Sequence, residues 1–265
     1  MKLFFRKLGE GPTLIIVHGL YGSSDNWLSI GKELSQNFEV FLVDQRNHGQ
    51  SPHDGQHTYE LMKLDLLEFM DDQGIDKSIF IGHSMGGKTV MHLAANHPEK
   101  INSLVVIDIA PRSYMKLTDF SAQTVDHLNI LTAMLNIDFS KVKSREDADR
   151  ILSDSVRSAR VRRFLLKNLQ LNPDDSYSWR INAGVLSREL PAIMEDIATD
   201  KAGITGFSVL FIRGEKSTYI LDEDIPNIKR LFPFADLVTI PGAGHWLHVE
   251  KPTLLVKTLK YFLLG

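Results

Sequence analysis

The pentapeptide Gly82-His83-Ser84-Met85-Gly86 follows the apolar run Ile79-Phe80-Ile81 and stands directly before a helix-length segment. A serine with glycines two residues away on each side suits a strand-to-helix turn too tight for larger neighbours, its hydroxyl exposed above a sheet. The amides opening the following helix point at the same spot and favour negative charge there. A bare Gly-x-Ser-x-Gly recurs by chance. The strand before this one, the helix after it and the extra Gly87 set it apart from an ordinary glycine-rich turn. Ser84 is the expected nucleophile, and the adjacent His83 is expected to face away and serve structure.

Attack on an acyl carbonyl creates a negative oxygen that needs preorganised donors. His18-Gly19 closes the run "LIIV", ahead of Ser23-Ser24, which suit the start of a helix. In such a turn one donor is the backbone N–H after the nucleophile, Met85, and the other comes from this earlier loop, at Leu20. His18 reads as a loop-shaping residue. The base is expected last in chain order, and "IPGAGHWLHVEKP" supplies His245 and His248. Gly242 and Gly244 let that loop carry His245 over the sheet to Ser84, whereas His248 reads as packing. His53, His57, His92 and His97 show no ligand spacing, so neither a metal nor a cofactor is expected.

An imidazole base needs a carboxylate to hold its tautomer and stabilise the imidazolium. The customary place for that acid, after the run "FSVLFI", holds Ser217. Glu215 stands two residues too early and is expected to point elsewhere. Asp222 and Asp224 read as capping residues before a helix. Asp108 ends the apolar run "SLVVI", beside the Ser84 strand, where a carboxylate is costly to bury without a partner.

These residues need a scaffold, and the chain supplies one. Short apolar runs recur at 14–17, 38–43, 78–82, 101–107, 207–212 and 235–240, β-branched-rich and unalternating, as strands covered on both faces must be. Helix-length segments such as 58–73, 86–97 and 252–264 lie between or after them. Leu255, Leu259 and Phe262 of the last fall on one face. This alternation predicts an α/β fold, a mostly parallel sheet flanked by helices. The first two runs, "KLFFRKL" and "TLIIV", are joined by a Gly-Pro turn that suits an antiparallel hairpin at the sheet edge. From Arg112 to Gly203 no strand is convincing. We therefore expect a core of residues 1–111 and 204–265, with 112–203 a helical cap inserted between the fourth and fifth parallel strands. Arg157, Arg160, Arg162 and Arg163 in that insertion read as a solvated helix face balanced by Asp147, Asp149 and Asp154, rather than a phosphate grip.

With 265 residues, 43% apolar and 24% charged, the chain can bury a sizeable core. A net charge of −3 gives no electrostatic reason to expect nucleic acid. Cysteine is absent, which removes disulfides, thiolate metal sites and a cysteine nucleophile. "MKLFFRKLGEG" lacks a signal-peptide pattern, and no run approaches the roughly 18 apolar residues that span a bilayer. The expectation is a cytoplasmic protein without stable membrane insertion.

Over nearly its whole length the sequence resembles the α/β-hydrolase superfamily, and within it the YbfF-type esterases. "HGLYGS" (18–23), "VDQRNHGQS" (43–51), "GHSMGG" (82–87), "VVIDIAP" (105–111) and "GAGHWLHVEKP" (242–252) carry the resemblance. The stretch "DQRNHGQS" (44–51) is the most group-specific of these, since most relatives carry glycine where Asn47 stands. Asp44 and Arg46 are expected to pair and fix the loop after their strand. "YSWRINAGVL" (177–186) is the best match within the cap. The resemblance implies the α/β-hydrolase fold, and relocation of the acid to Asp108 is a variation known in the superfamily. The expected site is then Ser84, His245 and Asp108, with an oxyanion hole from Leu20 and Met85. It would hydrolyse small or medium acyl esters through an acyl-enzyme, with acyl-CoA thioesters also open. The alternative is a non-catalytic member of the fold binding a small ligand, which need not keep nucleophile, base and oxyanion loop together.

Overall fold

Each apolar run contributes a strand whose successive side chains point to opposite faces, both covered. The computed structural model describes residues 1–115, 122–197 and 199–265. Residues 116–121 and 198 of the expected cap lie outside the described residues. The strands are β1 (Phe5–Leu8), β2 (Thr13–Val17), β3 (Glu39–Val43), β4 (Ser78–His83), β5 (Ile101–Ile107), β6 (Leu169–Leu171), β7 (Tyr177–Trp179), β8 (Ser208–Gly214) and β9 (Asp236–Ile240). Seven of them form one sheet in the order β1-β3-β2-β4-β5-β8-β9, parallel except at β1. The fold is that of an α/β-hydrolase.

Helices α1 (Leu28–Leu34), α2 (Tyr59–Asp72) and α3 (Met85–Asn96) alternate with the early strands. α4 (Ala122–Leu135), α5 (Arg145–Ser153), α6 (Ala159–Leu165), α7 (Ala183–Arg188) and α8 (Leu190–Met194) lie between β5 and β8. α9 (Ile225–Leu231) joins β8 to β9, and α10 (Leu247–Glu250) and α11 (Pro252–Leu264) end the chain. Leu14, Ile16, Ile81 and Ile107 pack beneath Ile30, Leu255 and Leu259 on one side of the sheet. Ile15, Val17, Phe80 and Val106 face Leu66, Val90 and Leu93 on the other. That double cover is why the strand runs show no polar alternation. Among the described residues no helix is long and apolar enough to cross a membrane.

Two expectations about strands need correction. β1 does not form a hairpin with β2: it pairs antiparallel with β3, from Phe5↔Val43 to Leu8↔Val40. Residues 9–12 instead carry the chain past the start of β3, where Glu39 N–H donates to Pro12 O at 3.1 Å. The half-exposed β1, with Arg6 and Lys7, suits a sheet edge, and the apolar β2 gains a partner on each side. The insertion also contains an antiparallel pair, β6 with β7, which the sequence reading missed. Each strand has only three residues, below the length at which alternation is legible. The intervening Asn172-Pro173-Asp174-Asp175-Ser176, with Asp175 at φ 61°, was the available signal.

Candidate active site

The sheet register brings the site together before any side chain is considered. β4 pairs with β5 so that His83 lies opposite Ile107, and Ser84 and Asp108 therefore leave the sheet side by side. Ser84 N–H donates to Ile107 O at 2.9 Å, and Asp108 N–H to Ile212 O on β8 at 2.7 Å. Both residues sit at φ 52°, a left-handed conformation that non-glycine residues adopt seldom and mostly in demanding sites. The turn leaves no room at its flanks. A Cβ on Gly82 would lie 2.5 Å from Gly86 O, and one on Gly86 would lie 2.3 Å from Val17 O. Those contacts are the physical content of the Gly-x-Ser-x-Gly spacing.

The loop after β9 brings His245 over Ser84, its Nε2 3.0 Å from Ser84 Oγ and its Nδ1 2.8 Å from Asp108 Oδ2. Asp108 is wholly buried. Its Oδ1 accepts the Gly214 N–H at 2.9 Å, and its Oδ2 also accepts the Ser217 hydroxyl in a short hydrogen bond. The position where the sequence lacks an acid thus supplies a donor to the carboxylate one strand away. Glu215 turns outward and caps Gly242 N–H at 2.7 Å. Asp222 pairs with Arg213 at 2.7 Å, and Asp224 accepts Leu221 N–H at 2.8 Å. None of these three carboxylates bonds to His245.

Donors for an oxyanion lie on the other flank. Lys88 N–H to Ser84 O, at 3.1 Å, opens the hydrogen-bond ladder of α3, so the amides before it have no intrahelical acceptor. In the loop after β2, Gly22 N–H is taken by Gly19 O at 2.9 Å and Tyr21 N–H by His48 Nε2 at 3.3 Å. Among the described residues no acceptor takes Leu20 N–H or Met85 N–H.

The remaining histidines shape loops. His83 Nε2–H donates to His245 O at 2.9 Å, anchoring the loop that carries the base, and burial holds its ring neutral, well below the usual histidine range. His18 Nε2 accepts Gln45 N–H at 3.0 Å. His248 stacks on Trp27 at 4.7 Å with both nitrogens unbonded, and burial lowers it to about 3. Asp44 and Arg46 do not pair, contrary to the sequence reading. Asp44 is saturated by the Ser24 and Gln50 amides at 2.5 and 2.9 Å, while Arg46 forks onto Asp65 of α2 at 2.6 and 2.8 Å. Two parallel N–H···O bonds with a buried carboxylate outcompete a partner already filled by backbone donors. Asn47, at φ 64°, accepts Asn182 N–H through its carbonyl at 3.0 Å, joining the loop after β3 to the insertion.

Over Ser84 lies a narrow cleft lined by Leu20, Tyr59, Met85, Lys88, Ile109, Tyr114 and Met194, among others, with about 10 Å³ open to water. It meets a wide trough of about 770 Å³ bounded by His245, Trp246, Ile130, Val161 and Arg157. His127 and Tyr219 line both. Lys88, fully buried, donates to Met194 O at 3.4 Å and more closely to Glu195 O, and burial lowers its ammonium to about 7. Sequence reasoning missed Lys88, His127 and Tyr219, and it marked Ser217 only as the place where an acid is lacking. Only Lys88 carried a signal, standing one helical turn after Ser84. The insertion's arginines are largely paired or exposed: Arg162 meets Asp149 at 2.8 Å and Arg160 meets Glu250 at 3.1 Å.

A strand-turn-helix serine, a histidine after the last strand and a parallel sheet define a class, and the comparisons agree with it. The α/β-hydrolase fold family model matches residues 12–252, and the chain belongs to that family. Within it the chain is of the YbfF type: it is 36% identical to esterase YbfF of Escherichia coli, over 94% of this chain and 92% of that one. It is 38% identical to the sn-1-specific diacylglycerol lipase ABHD11 of Xenopus laevis, over 91% of this chain and 76% of that protein. A solved marine microorganism esterase superposes with a TM-score of 0.95 at 46% identity, covering 99% of this chain and all of its own.

Proposed function

We propose that Ser84, His245 and Asp108 are the catalytic triad of this protein and that the Leu20 and Met85 amides form its oxyanion hole. The protein is an ester hydrolase, as its family relatives are. The observation that carries the residue assignment is the unbroken hydrogen-bond chain from Ser84 Oγ through His245 to Asp108, at 3.0 and 2.8 Å. In this reading Ser84 attacks the acyl carbonyl while His245 Nε2 takes its proton, and Asp108 holds Nδ1–H in place and stabilises the imidazolium. His245 then returns the proton to the departing alkoxide, and water repeats the sequence on the acyl-enzyme.

The direction of proton return sorts the two cavities. The leaving oxygen must face His245 Nε2, so the alcohol portion occupies the 770 Å³ trough that His245 borders. The acyl chain then lies in the cleft beside Leu20 and Met85, which has room for about one water. We therefore assign short acyl groups on sizeable leaving groups as preferred substrates, thioesters among them, with residues 112–203 acting as a cap that lines both cavities. A fluorophosphonate probe tests the assignment. Labelling at Ser84, abolished by Ser84→Ala and slowed by His245→Ala, is expected; a folded wild type that takes no label refutes it.

A further inference from the structure

His127, on α4 of the insertion, faces the site from above, and both of its ring nitrogens are engaged. Nδ1 lies 3.2 Å from Tyr21 Oη and Nε2 lies 3.0 Å from Tyr219 Oη. The ring is buried, and that burial lowers it to about 3, so it is neutral at working pH, with one donor and one acceptor. Tyr21 Oη–H donates to the His127 carbonyl at 3.4 Å. One tautomer then places every proton: Nδ1–H donates to Tyr21 Oη, and Nε2 accepts from Tyr219 Oη–H. The two phenols lead to different halves of the site. Tyr219 lies face to face with the His245 ring, centroids 3.7 Å apart and planes 15° apart. Tyr21, at φ 63°, follows Leu20 directly, and its carbonyl is also held from the insertion by Asn168 Nδ2–H at 2.9 Å.

We infer that His127 is a positioning residue: through Tyr219 it fixes the plane of the His245 imidazole and through Tyr21 the loop bearing the Leu20 amide, so the site is aligned only when α4 is seated. The inference rests on the triad reading above. No part of it requires His127, Tyr219 or Tyr21 to touch the substrate's reacting atoms. Its consequence is that one side chain of the insertion couples the general base and the oxyanion donor, which otherwise lie on separate loops of the sheet.

The test uses the full chain with Tyr219→Phe, His127→Phe and the double variant. Tyr219→Phe removes one oxygen and keeps the ring on His245, so it carries the test even if His127→Phe folds poorly. Turnover of p-nitrophenyl acetate and the rate of fluorophosphonate labelling at Ser84 are measured together. Misalignment on this scale costs roughly tenfold to a hundredfold in rate. Tyr219→Phe is expected to lower kcat and the labelling rate about tenfold with KM within about twofold, and His127→Phe to lower them further. The double variant should match His127→Phe alone, because both changes cut one path. The low-field proton signal of His245 Nδ1–H on Asp108 should broaden in each, which a merely structural role would not cause. Unchanged kcat in folded Tyr219→Phe overturns the inference, as do losses that multiply in the double variant or a rise confined to KM. A wild type that takes no label at Ser84 removes the triad reading and this inference with it. Labelled, fully active His127 variants sink this inference alone.

Discussion

Asp108→Asn separates a triad acid from a structural carboxylate, and the hydrogen bonds of the site dictate how it should fail. Gly214 N–H donates to Oδ1 at 2.9 Å, so the new carboxamide keeps its oxygen there and turns its NH₂ toward His245 and Ser217. An amide nitrogen can only donate. His245 must then present a bare Nδ1 and carry its proton on Nε2, facing Ser84, where it can no longer accept the serine proton. Backbone geometry is untouched, because the Asp108 main chain is held by its own bond to Ile212 O at 2.7 Å. The same tautomer error in the serine-protease template lowers kcat about 10⁴-fold, or about 5.4 kcal/mol of activation free energy. Steady-state turnover of p-nitrophenyl acetate and fluorophosphonate labelling should both fall by that order while the thermal midpoint changes little. A second step probes the neighbouring strand. In the Asp108→Asn background, Ser217→Asp puts a carboxylate where a hydroxyl now bonds the oxygen that His245 also contacts. Partial recovery, about a hundredfold, is expected from restoring the tautomer with imperfect geometry. The assignment is refuted if Asp108→Asn keeps activity within about tenfold of wild type while Asp222→Asn does not.

Acid should unfold the protein early. Burial lowers His57, His127 and His248 to about 3 and His92 to about 4, whereas the unfolded chain takes up these protons near pH 6.5. Stability is therefore complete above about pH 6.5 and is lost as pH falls toward the folded values, by up to about 2 kcal/mol per imidazole at pH 5. Equal urea midpoints at pH 7 and pH 5, followed by tryptophan fluorescence, would contradict this. Gly86→Ala should cost at least about 3 kcal/mol or prevent folding, because the added Cβ meets the Val17 and His18 carbonyl oxygens at 2.3 and 2.5 Å; a melting temperature within a few degrees of wild type would show that the turn can relax. On a series of p-nitrophenyl esters, kcat/KM should fall steeply beyond the acetyl ester, because the cleft has room for about one water, the volume of a methyl group. A flat or rising profile would mean that the acyl chain takes the trough.

The parallel strands and the serine turn were legible because each is written in a few adjacent residues. Ile79-Phe80-Ile81 cannot be anything but buried, and Gly82 and Gly86 stand where a Cβ collides. What sequence could not show depends on which partner wins a competition across the fold. Arg46 had Asp44 two residues away, yet Asp65 on α2 met both arms of its guanidinium fork. β1 had β2 next in sequence, yet β3 lay closer in the sheet. Tyr219 and His127 are 92 residues apart and meet only because the insertion folds back over β8. Ser217 was legible as a departure from pattern but not as a donor, since its role depends on a carboxylate contributed by β5.

That last contact also bears on the proposed placement of the acid at Asp108, at the end of β5. β5 lies between β4, which leads into Ser84, and β8, whose following loop brings the Ser217 hydroxyl onto the Asp108 carboxylate. His245 comes from a loop outside the sheet and bonds the Asp108 carboxylate. A carboxylate on β5 is closer to the nucleophile but more deeply buried, and an unpaired buried charge is costly. Asp108 is satisfied by His245, by the Gly214 amide and by the Ser217 hydroxyl, two of them supplied by the β8 end where an acid would otherwise stand. With Asp in place of Ser217 beside Asp108, two carboxylates would share one imidazole, and like charges at that distance cannot both stay ionised. A small neutral donor at position 217 is therefore what a β5 acid requires.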